Sequence, residues 1–116
     1  MSNLGRNINI ADTVITTVPI NSASAVVLLQ ANERRLGYTV SLDFYTGADQ
    51  QCMIREIPAS TDPTDKKGIL LSRIPSSNDD IHRLVHTSMS DNPYTGEISA
   101  ISLAGTFNLH VTEYFY

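Results

Sequence analysis

The C-terminal stretch, residues 93–116, constrains the fold most, because it contains two short runs with strand-like periodicity that a glycine separates. Pro93 and Gly96 mark a turn, since proline fixes one backbone angle and glycine tolerates unusual ones. Apolar residues of the run 98–103 lie near one face with serines between them, and in the run 107–113 apolar residues alternate with polar ones. A period of two is typical of β-strands, and the glycine-containing segment 104–106 predicts a reversal between them. The sequence therefore predicts that a β-hairpin closes the domain.

Alternation and β-branched composition predict further strands upstream, at residues 12–20, 25–30, 37–45, 51–57 and 68–74. Pro19 cannot donate a hydrogen bond to a neighbouring strand, so the first strand is an edge strand or ends there. The aliphatic run in residues 25–30 predicts burial on both faces. In the third strand we expect one alternating set in the core: Tyr38, Val40, Leu42 and Phe44.

The segments between these strands are polar. Residues 58–67 contain two prolines and predict a surface loop. Residues 1–11 predict an extended N-terminal arm, and residues 12–116 a single domain. Residues 81–89 fit a helical period and a strand period about equally, and their β-branched content favours a strand. Taken together, the fold class is an antiparallel β-sandwich of seven or eight strands.

Composition narrows the class of function. Charged residues make up 17% of the 116 residues, and the net charge is −4. The cations are scattered, whereas nucleic-acid binding needs them clustered, so we expect no nucleic-acid partner. No apolar run approaches the roughly 20 residues of a membrane span, and residues 1–10 lack the features of a signal peptide. Cys52 is the only cysteine, which excludes an intrachain disulfide and predicts a core position.

Catalytic and metal-binding motifs are absent from the sequence. There is no G-x-S-x-G nucleophile motif and no glycine-rich phosphate loop. His82 and His86 could chelate zinc on a helix, but on a strand their side chains lie about 13 Å apart. We interpret these residues and His110 as surface or inter-subunit histidines. The expectation is a protein without enzymatic activity, metal or cofactor.

Two stretches resemble a small β-sandwich module of tailed-phage virion proteins. The first is Leu28 to Val40, in which a strand enters an Asn-x-x-Arg turn at Asn32 to Arg35. The second joins the run Tyr94 to Ile101 with the run Leu109 to Tyr114, and the two stretches keep the order of the module. The chain departs from the module at Ser102, in a region where a tryptophan is usual, and in its longer, more polar middle segment.

The resemblance implies a virion structural protein: a capsid decoration or cement protein that binds the outer capsid surface and stabilises the major-capsid lattice. The implied partners are the major capsid protein and further copies of the chain, with a trimer preferred and a dimer possible. From their position and composition, we expect residues of the arm, of one loop and of the aromatic tail to contact the capsid or another subunit, since such segments often form interfaces. These residues are Leu4, Ile8, Ile10, Lys66, Lys67, Tyr114, Phe115 and Tyr116.

Two alternatives remain open at this point. A tail, neck or head-fibre component could display the same module. A carbohydrate- or receptor-binding module is a different class, for which Tyr45 and Tyr94 are the candidate aromatic contacts.

Overall fold

The computed structural model describes residues 12–43, 49–74 and 83–116, and these form an all-β architecture. Its eight strands are β1 (Asp12–Ile20), β2 (Val26–Leu29), β3 (Arg35–Leu42), β4 (Gln50–Arg55), β5 (Ile69–Arg73), β6 (Val85–Met89), β7 (Ile98–Ser102) and β8 (Phe107–Phe115). Sheet A has the order β1-β8-β3-β6 and sheet B the order β2-β7-β4-β5, and all pairings are antiparallel. The predicted antiparallel sandwich of seven or eight strands is confirmed. The predicted arm, with Leu4, Ile8 and Ile10, lies outside the described residues.

The core lies between the inner faces of the two sheets. Its buried side chains come from every strand except β6. The predicted core positions Tyr38, Val40 and Leu42 are at most 1% exposed, and Cys52 is fully buried. Phe44 lies outside the described residues. No helix in the described part of the chain is long and apolar enough to cross a membrane.

Strand β1 occupies one edge of sheet A, as Pro19 predicted. It pairs along its whole length with β8, from Asp12 opposite Phe115 to Ile20 opposite Phe107. The strand prediction for residues 81–89 is confirmed over Val85–Met89, and Ile81 and His82 lie outside the described residues. The prediction that β2 is buried on both faces is wrong, because β2 is an edge strand and only Leu28 is buried.

The predicted closing hairpin is also wrong. β7 pairs with β2 and β4 in sheet B, whereas β8 pairs with β1 and β3 in sheet A. The C-terminal end of β7 is held by hydrogen bonds to other parts of the chain: Ser102 N–H donates to the carbonyl of Asn21, in the loop before β2, and Leu103 N–H to that of Gln51 in β4. Residues 103–106 therefore carry the chain across to the other sheet. Gly105 adopts φ +70 in this connection, and the Ser102 hydroxyl accepts the Ala104 N–H at 3.1 Å.

Candidate functional site

The outer face of sheet A, which points away from sheet B, is the candidate functional surface. The strand register places twelve of its residues in three rows across β1, β8, β3 and β6. The rows are Thr13, Tyr114, Gly37 and Met89; Ile15, Thr112, Thr39 and Thr87; and Thr17, His110, Ser41 and Val85. We call these twelve residues the threonine face, because threonine is their commonest member.

The threonine face carries no aspartate, glutamate, lysine or arginine. It nevertheless faces solvent: Ile15 is 74% exposed, Val85 45% and Met89 40%. A solvated sheet face ordinarily bears charged side chains, which keep a protein soluble. Hydroxyls and methyl groups lose less on removal from water than ions do. This face is therefore chemically suited to being covered by another surface.

Side chains are short where strands β3 and β6 approach each other on this face. The glycine at position 37 lies beneath Met89, whose Cγ would be 2.7 Å from any added Cβ. In the next row, the hydroxyls of Thr39 and Thr87 are 3.2 Å apart and form a cross-strand hydrogen bond. At Gly37, Thr39 and Thr87 the face therefore carries short side chains, which suits close approach of a partner surface.

His110 has polar neighbours near both of its ring nitrogens. Its Nδ1 lies 3.3 Å from the Thr17 hydroxyl, and its Nε2 lies 4.0 Å from a carboxylate oxygen of Asp43. The imidazole is 40% exposed. The Asp43 carboxylate therefore borders the threonine face at His110.

The outer face of sheet B differs, because residues 56–68 fold across it. We call this segment the covering loop. Arg55, Ser99 and Ile101 point outward in the register of sheet B, yet each is at most 2% exposed. The loop extends across the sheet, since Ala25 N–H donates to the Pro63 carbonyl at 2.7 Å. Among the residues that the structure describes, a loop thus covers the outer face of sheet B, and no corresponding segment covers that of sheet A.

Arg55 holds the covering loop in place. Its guanidinium donates to the carbonyls of Pro58, Thr61, Asp62 and Asp65, with Nη1 distances of 2.9 Å to Asp62 and 3.1 Å to Asp65. These bonds are charge-assisted and therefore stronger than neutral ones. The sequence predicted a surface loop here, but gave no sign that a buried arginine organises its backbone.

A second buried arginine, Arg35, joins distant parts of the chain. Its Nε donates to Glu113 Oε2 at 2.8 Å, and its Nη1 donates to the carbonyls of Tyr94 at 3.1 Å and Gly96 at 2.8 Å. Asn32 N–H donates to the Thr95 carbonyl at 2.8 Å. The turn at Asn32 to Arg35, the turn at Tyr94 to Gly96 and strand β8 therefore meet at this guanidinium.

The residues predicted for partner contact do not form one site. Lys66 and Lys67 are exposed on the covering loop, on the sheet B side of the sandwich. Tyr114 belongs to the threonine face, on the opposite side, and Phe115 points to the other side of β8. Tyr116 is 52% exposed, and the guanidinium carbon of Arg34 lies 5.7 Å from the centroid of its ring. A flat partner can therefore contact the lysines or Tyr114, but not both.

His86 is half-buried and bonded within the chain. The Tyr38 hydroxyl donates to Glu56 Oε2 at 2.7 Å and lies 3.3 Å from His86 Nε2. Because the single hydroxyl proton is used on Glu56, His86 donates through Nε2–H, which fixes that tautomer. Burial lowers the pKa of His86, and burial together with the Glu56 carboxylate raises the pKa of Tyr38. Both groups are thus held neutral near pH 7, and they tie the covering loop to sheet A.

The described residues do not form a recognisable metal site. Within residues 12–43, 49–74 and 83–116, no group of three or more His, Cys, Asp or Glu side chains is placed to hold an ion. His82 lies outside the described residues. His86 and His110 point to opposite sides of sheet A, since Val40 pairs with His86 whereas Ser41 pairs with His110.

Comparisons with known protein families, with curated proteins and with solved structures found no significant match. The threonine face was missed in the sequence, although its signal was present. Uncharged residues at alternate positions of four separate strands mark it, and this becomes visible only when strand order is known.

Proposed function

We propose that this chain is a structural protein of a tailed-phage virion that decorates the outer surface of the capsid and stabilises the major-capsid lattice. The threonine face is the observation that carries the proposal. It is a broad, uncharged, solvent-facing surface on a sandwich whose other outer face is covered by its own loop. An attachment protein needs such a surface, because it must exchange water for a partner over a wide area.

The meeting of both resemblance stretches at Arg35 also supports the proposal. A short sequence resemblance is better evidence of relatedness when the residues that carry it are bonded to one another in the fold. Here the Asn32 to Arg35 turn, the Tyr94 to Gly96 turn and Glu113 are bonded to one another. The likeness therefore concerns residues that determine how the chain folds.

Stabilisation of the lattice would follow from mass action. A protein that binds the assembled capsid more tightly than free subunits shifts the equilibrium towards assembly, by an amount set by its concentration and affinity. No chemical step is needed. Self-association, for which the sequence favoured a trimer over a dimer, accords with repeated sites on a lattice but stays a prediction.

The first experiment locates the protein in the virion. Virions are sedimented, separated into heads and tails, and their proteins are quantified by mass spectrometry. Hundreds of copies on heads, with loss of heat resistance when the protein is stripped, would support decoration. A dozen copies or fewer on the tail or neck would favour the tail or head-fibre alternative. Absence from virions would overturn both.

The second experiment tests the surface. Thr112→Lys places a cation in the middle row of the threonine face, beside Ile15 and Thr39. Since an unpaired ion is expensive to desolvate, we expect at least about a tenfold loss of binding to stripped capsids. Ser60→Lys adds the same charge on the covering loop and should bind normally. If a Lys66→Ala/Lys67→Ala variant loses binding while Thr112→Lys retains it, the docking surface is the covering loop instead.

Sugar binding receives less support from the described residues. Tyr94 is half-buried, and its hydroxyl donates to the Glu97 carbonyl at 3.0 Å, so it does not present a free ring and hydroxyl. Tyr45 lies outside the described residues. A glycan array remains the direct test of this alternative.

A further inference from the structure

We infer that β1 pairs edge to edge with β1 of a second copy, giving a symmetric dimer with one continuous eight-stranded sheet. This inference does not depend on the proposed function. It follows from the backbone groups that β1 directs away from β8, and it specifies both the partner and the register of pairing.

The other described edges are poor candidates for such pairing. β2 has four residues and a register shift between Val27 and Leu29, and bulged short edges resist strand addition. β5 is joined at Ser72 to Arg83, just before β6, by two backbone hydrogen bonds of 2.9 and 3.1 Å. β1 has nine residues and pairs with β8 on one side only. β6, the other edge of sheet A, has five residues, so β1 is the longest open edge among the described strands.

Two observations identify which backbone groups of β1 face outward. Pro19 has no N–H to donate to β8, and Thr13 donates its N–H to its neighbour Asp12 at 2.8 Å instead of to the ladder. Groups alternate along an antiparallel strand, so the odd-numbered residues point their backbone groups away from β8. At both ends the outward donor is blocked or missing. The N–H groups of Ile15 and Thr17 remain available in the centre.

One register uses these groups fully. If a two-fold axis passes between Thr16 of each copy, Ile15 lies opposite Thr17 of the second copy. Each then donates to and accepts from the other, and symmetry repeats the pair. Thr13 falls opposite Pro19, a pair in which neither residue has a free N–H to donate. Shifting the axis to Ile15 would require Thr13 to leave Asp12, and shifting it to Thr17 would leave the Ile15 carbonyl opposite a proline.

Side chains favour the same arrangement. Val14 is 46% exposed and would lie opposite Val18 of the second copy, while Ile15, at 74% exposure, would gain a cross-strand neighbour on the threonine face. Cross-strand pairs of this kind stabilise antiparallel sheets. β1 itself carries one charged residue, Asp12 at its beginning, so like charges do not oppose pairing in the centre.

The register can be tested with single cysteines. Thr16→Cys places two thiols in a directly opposed pair whose Cα atoms are about 4.5 Å apart, within reach of a disulfide. Val14→Cys is the matched control, because its thiol would lie about 13 Å from its own copy in this register. Cys52 is fully buried and does not compete. We expect Thr16→Cys to form a covalent dimer under mild oxidation. Equal cross-linking of both variants, or none of Thr16→Cys, would overturn the register.

The pairing itself is tested by sedimentation equilibrium of the full chain. The unaltered protein should be dimeric, and Ile15→Pro should weaken the dimer at least about a hundredfold while keeping its β-sheet circular dichroism. The fold is retained because the lost N–H is not used by β8. Ile15→Thr keeps that N–H and should remain dimeric. A monomer or trimer for the unaltered chain, or a dimer insensitive to Ile15→Pro, would refute edge pairing; should Ile15→Pro fail to fold, the cysteine variants decide.

Discussion

Replacing Arg55 with methionine tests whether one buried guanidinium holds the covering loop on sheet B. Methionine fills a similar volume but donates no hydrogen bonds. The four carbonyls of Pro58, Thr61, Asp62 and Asp65 then lose their donor. Because the loop is at the surface, these carbonyls regain hydrogen bonds by detaching into water.

The expected loss in the free energy of unfolding follows from this release of the covering loop. Four bonds to a charged donor are worth about 6–12 kcal/mol together, at about 1.5–3 kcal/mol each. Most of this is offset, since each released residue recovers about 1–2 kcal/mol of backbone entropy. What is not recovered is the burial of Ile101, about 1.5–3 kcal/mol, and the Ser99 hydroxyl bond to the Ile57 carbonyl. We therefore expect Arg55→Met to lower the free energy of unfolding by about 2–4 kcal/mol.

Urea unfolding followed by circular dichroism measures this loss, and hydrogen exchange locates it. The amides of Ala25, Ala59 and Thr61 report on the loop, because each is bonded to it or within it. Their protection should fall in the variant before the sheets unfold. Arg83→Met is the matched control, since Arg83 is exposed and its backbone bonds remain; it should stay within about 0.5 kcal/mol of the unaltered protein. A similarly small effect of Arg55→Met, with loop amides still protected, would refute the reasoning.

Three further predictions concern single side chains. Glu113→Gln leaves the buried Arg35 without a carboxylate partner and should lower the free energy of unfolding by about 2–3 kcal/mol in urea titrations; a loss below about 0.5 kcal/mol would contradict the account of this ion pair. Burial raises the pKa of Cys52 to about 12, so a thiol reagent at pH 8 should label the native chain only as fast as it unfolds, and rapid labelling would show that the core is open. Burial lowers the pKa of His86 in the folded chain, so the unfolded chain binds the proton first as pH falls through about 6.5, and stability should decrease below that pH. His86→Gln should reduce that slope between pH 7 and 5, and an unchanged slope would exclude His86 as its source.

The strands were predictable because their residues obey local rules. β-branched residues and a period of two locate β1, β3 and β4 within a few positions, and Pro19 identifies an edge without knowledge of any partner. The alternation in β3 also gave the correct buried face, because burial on one side of a sheet requires it. These features depend on the chain within a few residues of each position.

Strand pairing was not predictable on the same grounds. A glycine between two alternating runs fits a hairpin and an inter-sheet connection equally well, because both need a reversal of direction. The choice depends on Asn21 and Gln51, whose carbonyls accept the N–H groups of Ser102 and Leu103. Both acceptors are distant in the sequence, so the end of β7 is committed to sheet B by contacts that no local pattern contains.

The buried arginines were missed for a related reason. Arginine is ordinarily exposed, and a pattern of polar and apolar residues assigns it to the surface. Arg35 and Arg55 are buried because their donors satisfy backbone carbonyls that would otherwise be unpaired: Arg35 those of Gln30, Tyr94 and Gly96, and Arg55 those of the covering loop. Each compensates for irregular backbone by supplying several donors at once. Such a role is visible only once the loops are folded.

The two proposals are connected by the symmetry of β1 pairing. In a continuous antiparallel sheet the two-fold axis is perpendicular to the sheet, so the threonine faces of both copies lie on the same side. A dimer would therefore present two uncharged surfaces to one partner lattice, and the second contact would be intramolecular once the first has formed. Linked contacts of this kind raise apparent affinity by about 10²–10⁴ without any new type of interaction. A face that lacks charged anchors and gains little from each contact can in this way hold a small protein firmly on a repeating surface.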